Sequence, residues 1–213
     1  SVVAMFKVHL NAVSDFLFDD ENEDVRILAW TTTPWTLPSN VALSVNPYIR
    51  YKKIYTEISG RPISVILAQE LVYKWFGGVN QPRILSESAL IRGEDLVDVR
   101  YEQLLPTPAA STPELEEKAF RVIAGDFVTT EDGTGVVHTA PYFGADDFRV
   151  CKAAGVPYIG LPNPKQPELP FPLVDKQGKF VEEVPEFGGR YVKAEYYAKE
   201  VTSDKEFKPT DLL

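Results

Sequence analysis

The sequence is poor in the residues that build disulfides and metal sites. Its 213 residues include one cysteine and two histidines. One cysteine cannot form an internal disulfide, and this set cannot supply the usual ligands of a zinc site. The sequence also lacks a glycine-rich phosphate loop with lysine and a G-x-S-x-G nucleophile elbow. We therefore expect no metal at a functional site, and a buried structural thiol at Cys151, which lies in a helix-like segment.

Basic charge and long apolar runs are also scarce. The formal net charge is -9, which argues against extensive contact with nucleic acid but leaves contact with a short single-stranded end open. No apolar run approaches the roughly 18 to 20 residues that span a bilayer. A hydrophobic content of 44% fits one core and one domain over residues 1–213. The start without methionine, directly in a strand pattern, leads us to expect an excised piece of a longer protein.

The residue patterns predict a strand-dominated chain. Strands are predicted at 2–10, 25–31, 41–45, 50–58, 62–67 and 120–129. Helices are predicted at 68–76, 112–118, 144–154 and 193–201. We also expect a solvated acidic turn at 19–24, an extended proline-rich loop at 162–172 and a hairpin at 173–181. Because strands and helices do not alternate regularly, a barrel-like mixed α/β domain fits better than a doubly wound sheet.

A threonine-rich segment follows the second predicted strand and reads Thr31-Thr-Thr-Pro-Trp-Thr-Leu-Pro-Ser-Asn40. Its two prolines force the chain out of regular pairing. The threonine hydroxyls could hold a polar substrate or a water molecule, and their methyl groups could form a stiff wall. Composition alone favours a plainer interpretation, a strand end with local side-chain to backbone bonds.

A second segment begins with Gly133-Thr-Gly-Val-Val-His138 and continues through a Pro/Gly loop into a predicted helix that opens with Asp146 and Asp147. The glycines permit a tight turn or a close backbone approach. A helix N-terminus favours acids and lowers their pKa, so we expect a charged carboxylate. Such a carboxylate near a histidine and hydroxyls could bind an ammonium group and align a water. Helix capping by the acids and a structural histidine remain open alternatives.

Together the two segments resemble the editing insertion of class I aminoacyl-tRNA synthetases. Valyl and leucyl relatives have an arginine after the threonine pair and an acid after the proline, whereas this chain has Thr33 and Trp35, which favours the isoleucyl branch. The sequence of residues 142–147 is similar to that of eukaryotic-type cytosolic enzymes. A weaker resemblance to the family includes Tyr101. The resemblance spans nearly the whole chain except residues 105–120, which we expect to be a variable loop.

The resemblance implies roles for particular residues. Those expected to take part in catalysis are Thr31, Thr32, Thr33, His138 and Asp147. Those expected to bind substrate are Trp35, Thr36, Asn40, Phe143 and again Asp147. In these roles Asp147 would hold the substrate α-ammonium, the threonines would contact the terminal adenosine or the water, and His138 would help to exclude isoleucine. The neighbouring Asp146 is expected to cap the helix.

The implied function is hydrolytic proofreading of mischarged Val-tRNA(Ile), with valyl adenylate as an open second substrate. A pocket discriminates poorly against one missing methylene, a limit for which isoleucyl enzymes are themselves the known example. The expected partners are the 3′ end of aminoacylated tRNA(Ile), the valyl group and the rest of the parent synthetase, with a monomer in the cytoplasm. Editing would need no cofactor, since ATP and magnesium serve the synthetic domain. The alternative is a non-catalytic module that binds tRNA or aminoacyl adenylate.

Overall fold

Runs of β-branched and aromatic residues form a nine-stranded mixed sheet in this computed structural model, which describes residues 1–196. The strands are β1 (Val2–Lys7), β2 (Val25–Thr31), β3 (Ala42–Val45), β4 (Arg50–Ile58), β5 (Arg61–Ala68), β6 (Ser86–Glu87), β7 (Ile91–Arg92), β8 (Arg121–Ala124) and β9 (Val136–Thr139). Strands dominate the chain, so the predicted fold class is confirmed.

The main path of the sheet runs β6-β4-β5-β2-β9-β3-β8, with β1 paired to β2 and β7 paired to β4. The described strands do not close into a barrel, although isolated bridges approach closure. Val8 bridges to Tyr101, and Arg100 bridges to Arg121 at the start of β8. The end of β1 is thereby linked to β8, and this half of the sheet encloses the wholly buried Phe6 and Tyr101.

Helices in the described residues are short. The α-helices are α1 (Val72–Trp75), α2 (Gly93–Leu96), α3 (Pro113–Lys118) and α4 (Ala145–Ala154). Single 3₁₀ segments cover Asp15–Leu17, Pro34–Ser39, Gln69–Leu71, Pro108–Ala110 and Ala194–Tyr196. Helix α4 ends at Gly155, whose φ of 66° lies in the left-handed region that glycine adopts without strain. The remainder of the terminal helix predicted at 193–201 lies outside the described residues.

Three predicted elements are clearly shorter than expected because tertiary pairing decides their ends. The strand predicted at 2–10 stops at Lys7, which pairs with Arg26 near the start of β2. The strand predicted at 120–129 stops at Ala124, which pairs with Val45, the last residue of its partner β3. The helix predicted at 68–76 is a 3₁₀ turn followed by one α-helical turn, since Ala68 still pairs with Tyr51 in the sheet. The extended loop at 162–172 is confirmed, and a bridge between Val174 and Phe180 forms the predicted hairpin.

Residues 105–120 pack against the core. Ala110 and Leu115 are buried in the main hydrophobic cluster. The Thr112 hydroxyl accepts from the backbone N–H of Leu115 at 3.1 Å, which confirms the predicted helix cap. The guanidinium of Arg100 donates to three carbonyl oxygens at the end of α3, those of Glu116, Glu117 and Ala119. This segment is therefore helical and well anchored, and its variability among relatives stays a prediction.

The acidic turn at 19–24 forms ion pairs with a buried lysine. The ammonium group of the buried Lys53 lies 2.7 Å from Asp19 and 2.9 Å from Glu23. The hydroxyl of Ser64 also donates to Glu23. Because a buried ammonium group requires a charged partner, the turn completes the structure around β4. The prediction of a purely solvated loop is wrong for Glu23.

The core contains two hydrophobic clusters, a large one on the β1–β2–β3–β8–β9 side and a small one between β5 and α1. Cys151 is buried in the large cluster, and burial raises the pKa of its thiol to about 12. The structural role predicted for this thiol is confirmed by its position. No helix within residues 1–196 is both long and apolar enough to cross a membrane.

Candidate functional site

The two segments singled out in the sequence meet at one edge of the sheet. Strands β2 and β9 are parallel neighbours, with Trp30 opposite Val137. Since the carboxyl ends of parallel strands lie at the same edge, Thr31 at the end of β2 lies beside His138, one residue before the end of β9. The chain then turns at Thr33 into the 3₁₀ segment Pro34–Ser39, where proline at the first position fits because it has no N–H to donate.

Three threonines of this loop form one hydrogen-bonded row. The Thr31 hydroxyl accepts from the backbone N–H of Thr33 at 3.0 Å and lies 3.3 Å from the Thr33 hydroxyl. The Thr33 hydroxyl lies 3.4 Å from that of Thr36, which donates to the Thr33 carbonyl at 2.8 Å. The local side-chain to backbone bonds expected from composition are therefore present, together with a row of hydroxyls at the strand edge.

His138 is held between two polar side chains. Its Nε2 lies 2.7 Å from the Thr36 hydroxyl, and its Nδ1 lies 3.3 Å from the amide nitrogen of Asn40. The side chain is buried, and burial lowers the pKa of His138 to about 4. The imidazole is neutral at physiological pH, and both ring nitrogens already have partners. His138 therefore suits a fixed wall better than a proton acceptor.

Asn40 connects this site to the core. Its amide nitrogen donates to the Ala42 carbonyl at 2.8 Å, and its amide oxygen accepts from the Tyr101 hydroxyl at 2.7 Å. Tyr101 is wholly buried, and its ring meets Phe6 edge to face at 5.2 Å between centroids. The sequence marked Tyr101 only as part of a weak resemblance. A tyrosine buried this deeply requires a hydrogen-bond partner, but the depth of its side chain is not visible in the sequence.

Asp147 lies at the same edge, on the first turn of α4. One carboxylate oxygen accepts from the backbone N–H of Ala140 at 2.8 Å, two residues after His138. Burial raises the pKa of Asp147, the neighbouring Asp146 raises it further, and the Ala140 N–H opposes the shift. The lowering predicted from the helix N-terminus is therefore wrong. No lysine, arginine or histidine among the described residues forms an ion pair with Asp147.

The side chain of Asp146 does not take the capping role predicted for it. It lies exposed at 3.2 Å from the guanidinium of Arg149, which also pairs with Asp126 at 2.6 Å. The N-cap residue of α4 is Gly144, without a side-chain cap. The backbone contact expected of an acid here is made instead by Asp147, to Ala140.

The remaining predicted site residues lie around this network. Trp35 is partly buried against the core, and the Lys193 ammonium lies 5.1 Å above its ring. Phe143 is 40% exposed in the turn before α4, and Thr32 is exposed between the two bonded threonines. The structure thus joins Thr31, Thr33, Thr36, Asn40 and His138 directly by hydrogen bonds. Asp147 is joined to them through the end of β9.

Tight packing fixes β9 beside its neighbours. Gly135 has φ of 73°, and a Cβ there would lie 2.3 Å from the Cβ of Ala68, so only glycine fits. The Thr134 hydroxyl donates to the Leu28 carbonyl at 2.7 Å. The close approach predicted for the glycine turn is confirmed. Among residues 1–196, no group of three or more His, Cys, Asp or Glu side chains could hold a metal ion.

The strand-dominated mixed fold has a counterpart among solved structures. A crystal structure described as that of GlLeuRS-CP1 matches with a TM-score of 0.55 and 18% identity, covering 96% of this chain and 79% of that one. This likeness shows a shared fold. No protein-family model matches the sequence.

The sequence is similar to a segment of isoleucine–tRNA ligases. The isoleucine–tRNA ligase of Cytophaga hutchinsonii is 45% identical over 94% of this chain, and that of Clostridium tetani is 48% identical over 80% of it. These ligases are homologues of the chain. The chain spans only 18% and 14% of their lengths, so it corresponds to a segment of each.

Proposed function

We propose that the chain hydrolyses mischarged Val-tRNA(Ile), as the proofreading site of an isoleucyl-tRNA synthetase. The observation that carries the proposal is that the threonine row, a neutral His138 and Asp147 meet at one strand edge, where no cationic side chain of residues 1–196 forms an ion pair with Asp147. The similarity to isoleucine–tRNA ligases over nearly the whole chain supports it.

In this proposal Asp147 binds the substrate α-ammonium. A half-buried carboxylate that lacks a cation is stabilised by an incoming ammonium group, because the contact offsets its desolvation. The Ala140 N–H keeps one carboxylate oxygen in place before substrate arrives. Burial raises the pKa of Asp147, and a bound ammonium would lower it again.

The side-chain pocket in this proposal lies against His138. A valyl group fits between this wall and the threonine methyl groups, and the additional methylene of isoleucine meets the fixed imidazole. The wall is rigid since Thr36 and Asn40 hold both ring nitrogens. Trp35 and Phe143 would flank the terminal adenosine, with Phe143 exposed enough to meet a base.

The proposed chemistry is attack by water on the ester carbonyl. A new bond forms between the water oxygen and the carbonyl carbon, and the bond from that carbon to the ribose oxygen breaks. The ribose oxygen takes up a proton, which leaves free valine and a tRNA with an intact 3′ hydroxyl. The hydroxyls of Thr31, Thr32 and Thr33 would orient the water, and hydrogen-bond donors at the edge would stabilise the charged intermediate. This scheme requires no cofactor or metal from the chain.

We propose as partners the 3′ end of tRNA(Ile), its valyl group and the remainder of a larger synthetase, with the chain acting as a monomer in the cytoplasm. The net charge of -9 supports contact with a short single-stranded end over a broad grip on tRNA. The eukaryotic-type assignment from residues 142–147 stays a prediction, and valyl adenylate is proposed as a second substrate.

The test compares release of amino acid from Val-tRNA(Ile) and Ile-tRNA(Ile), by the chain and by the full-length synthetase that contains it. We expect valine to be released at least about tenfold faster, the ratio that 1.4 kcal/mol produces. Thr33→Val, which removes a hydroxyl at constant shape, should slow release. Thr130→Val is the control, because that hydroxyl bonds to Glu70 away from the edge. Tight binding of a non-hydrolysable valyl-adenosine analogue without any turnover would instead establish a non-catalytic binding module.

A further inference from the structure

The hydrogen bonds around His138 determine which ring nitrogen carries the proton. The Thr36 hydroxyl has one hydrogen, which it donates to the Thr33 carbonyl at 2.8 Å. In its 2.7 Å contact with His138 this hydroxyl must therefore accept, so Nε2 carries the hydrogen.

The opposite side of the ring leads to the same conclusion independently. The Asn40 amide nitrogen faces both the Ala42 carbonyl at 2.8 Å and His138 Nδ1 at 3.3 Å. An amide nitrogen can only donate, so Nδ1 accepts and carries no hydrogen. If the amide were turned over, its oxygen would face the Ala42 carbonyl oxygen, and the Tyr101 hydroxyl would lose its acceptor. The contacts of Asn40 with the Ala42 carbonyl and with the Tyr101 hydroxyl therefore favour the same orientation of the amide.

We propose that Tyr101 is a positioning residue for this site: its hydroxyl holds the Asn40 amide, and the amide holds His138 in the Nε2–H form that donates to Thr36. The inference deepens the proposed function and rests on it for its catalytic consequence. Tyr101 itself lies in the core between Phe6 and Phe120. A polar path thus runs from the core to the threonine row through Asn40, His138 and Thr36.

The protonated nitrogen of His138 determines how the hydroxyl hydrogens of the threonine row are oriented for the reaction. With the Nε2–H form fixed, the Thr36 hydroxyl is directed toward Thr33, and the row keeps one orientation of its hydroxyl hydrogens. In the other form, Nε2 would accept from Thr36, and the Thr33 carbonyl would lose its donor. A mixture of the two forms would give the imidazole that rejects isoleucine more than one hydrogen-bonding arrangement. It would also give the threonine hydroxyls that orient water more than one direction.

The test uses ¹⁵N-histidine labelling of the 213-residue chain and reads the protonation of each ring nitrogen by NMR. The chain has only two histidines, and His9 is exposed, so a His9→Gln sample assigns the signals. The test variant is Tyr101→Phe. The matched control is Tyr51→Phe, because Tyr51 is also wholly buried and its hydroxyl donates to a different acceptor, the Gly135 carbonyl at 2.8 Å.

We expect His138 to be in the Nε2–H form in the parent chain and in Tyr51→Phe, and a mixture of forms in Tyr101→Phe. A single Nε2–H form in folded Tyr101→Phe would overturn the role of Tyr101, because the Ala42 carbonyl would then suffice. If Tyr101→Phe does not fold, Asn40→Asp provides the second variant, in which a carboxylate should draw the hydrogen to Nδ1. Unchanged Nε2–H there would equally overturn the proposal.

Activity separates this inference from the proposed function. In Tyr101→Phe we expect the preference for Val-tRNA(Ile) over Ile-tRNA(Ile) to fall by about fivefold, the change expected for one buried hydrogen bond of about 1 kcal/mol. Tyr51→Phe should retain that preference. A parent chain without deacylation would refute the proposed function, whereas the NMR result would still decide the role of Tyr101.

Discussion

Burial of His138 predicts a loss of stability as the solution becomes acidic. Burial lowers the pKa of this imidazole in the folded chain from 6.5 to about 4, and its hydrogen-bond partners within residues 1–196, Thr36 and Asn40, are uncharged. Between these two pH values the unfolded chain binds a proton that the folded chain does not. The free energy of unfolding therefore rises with pH in this window and falls as pH is lowered through it.

The magnitude follows from the two pKa values. At pH 7 the imidazole is neutral in both states and contributes little. At pH 5 it is nearly all charged in the unfolded chain and nearly all neutral in the folded chain. Because each pH unit in this window costs about 1.4 kcal/mol, lowering the pH from 7 to 5 should remove about 2 kcal/mol of stability through His138 alone.

Urea denaturation at pH 7 and pH 5 measures this contribution. The difference between the two pH values should be about 2 kcal/mol smaller in His138→Gln than in the parent chain. The raised pKa of Asp147 acts in the opposite direction but is common to both proteins and cancels in this comparison. His9→Gln, which removes the exposed imidazole, is the matched control. Equal losses in the parent and His138→Gln would refute a buried neutral imidazole.

Two further variants, each with a control, test the charged groups of Asp147 and Lys53. Asp147→Asn should slow release of valine by about ten- to a hundredfold, because a hydrogen bond to a charged group contributes about 1.5–3 kcal/mol, and the exposed Asp146→Asn should leave the rate of deacylation unchanged. Lys53→Met leaves Glu23 without its buried partner and should lower the free energy of unfolding by about 3 kcal/mol in urea. Lys74→Met, at an exposed pair with Asp132, should cost under about 1 kcal/mol, and equal losses would contradict the buried role of Lys53.

The sequence predicts those parts of the fold that local pattern controls. The bounds of β2 and β4 match the predicted strands because β2 is a short apolar run and β4 is rich in β-branched and aromatic residues. The Thr112 cap of α3 is likewise a local signal. The end of β8 at Ala124 could not be predicted, since it depends on where β3 ends. The bridges of Arg100 to Arg121 and of Tyr101 to Val8 are equally non-local.

In the candidate site, too, the sequence predicts the local motifs but not the contacts between distant residues. The motifs identified the threonine row and His138, but they could not show that Asn40 and Tyr101, 61 residues apart in the chain, share a hydrogen bond. The direction of the Asp147 pKa was predicted wrongly because a helix N-terminus is visible in a sequence and the depth of a side chain is not. Desolvation outweighs the favourable backbone N–H at this position.

The position of the His138 wall is ultimately set by the register of β9. Side chains alternate along a strand, so a shift by one residue would turn His138 away from Thr36 and present Val137 or Thr139 instead. The register in which His138 pairs with Leu43 is held from both sides of the strand. The Thr139 hydroxyl bonds to that of Ser44 at 2.7 Å, and Gly135 fits where no Cβ could. Substitutions at these buried positions should therefore disturb amino-acid selection without touching substrate.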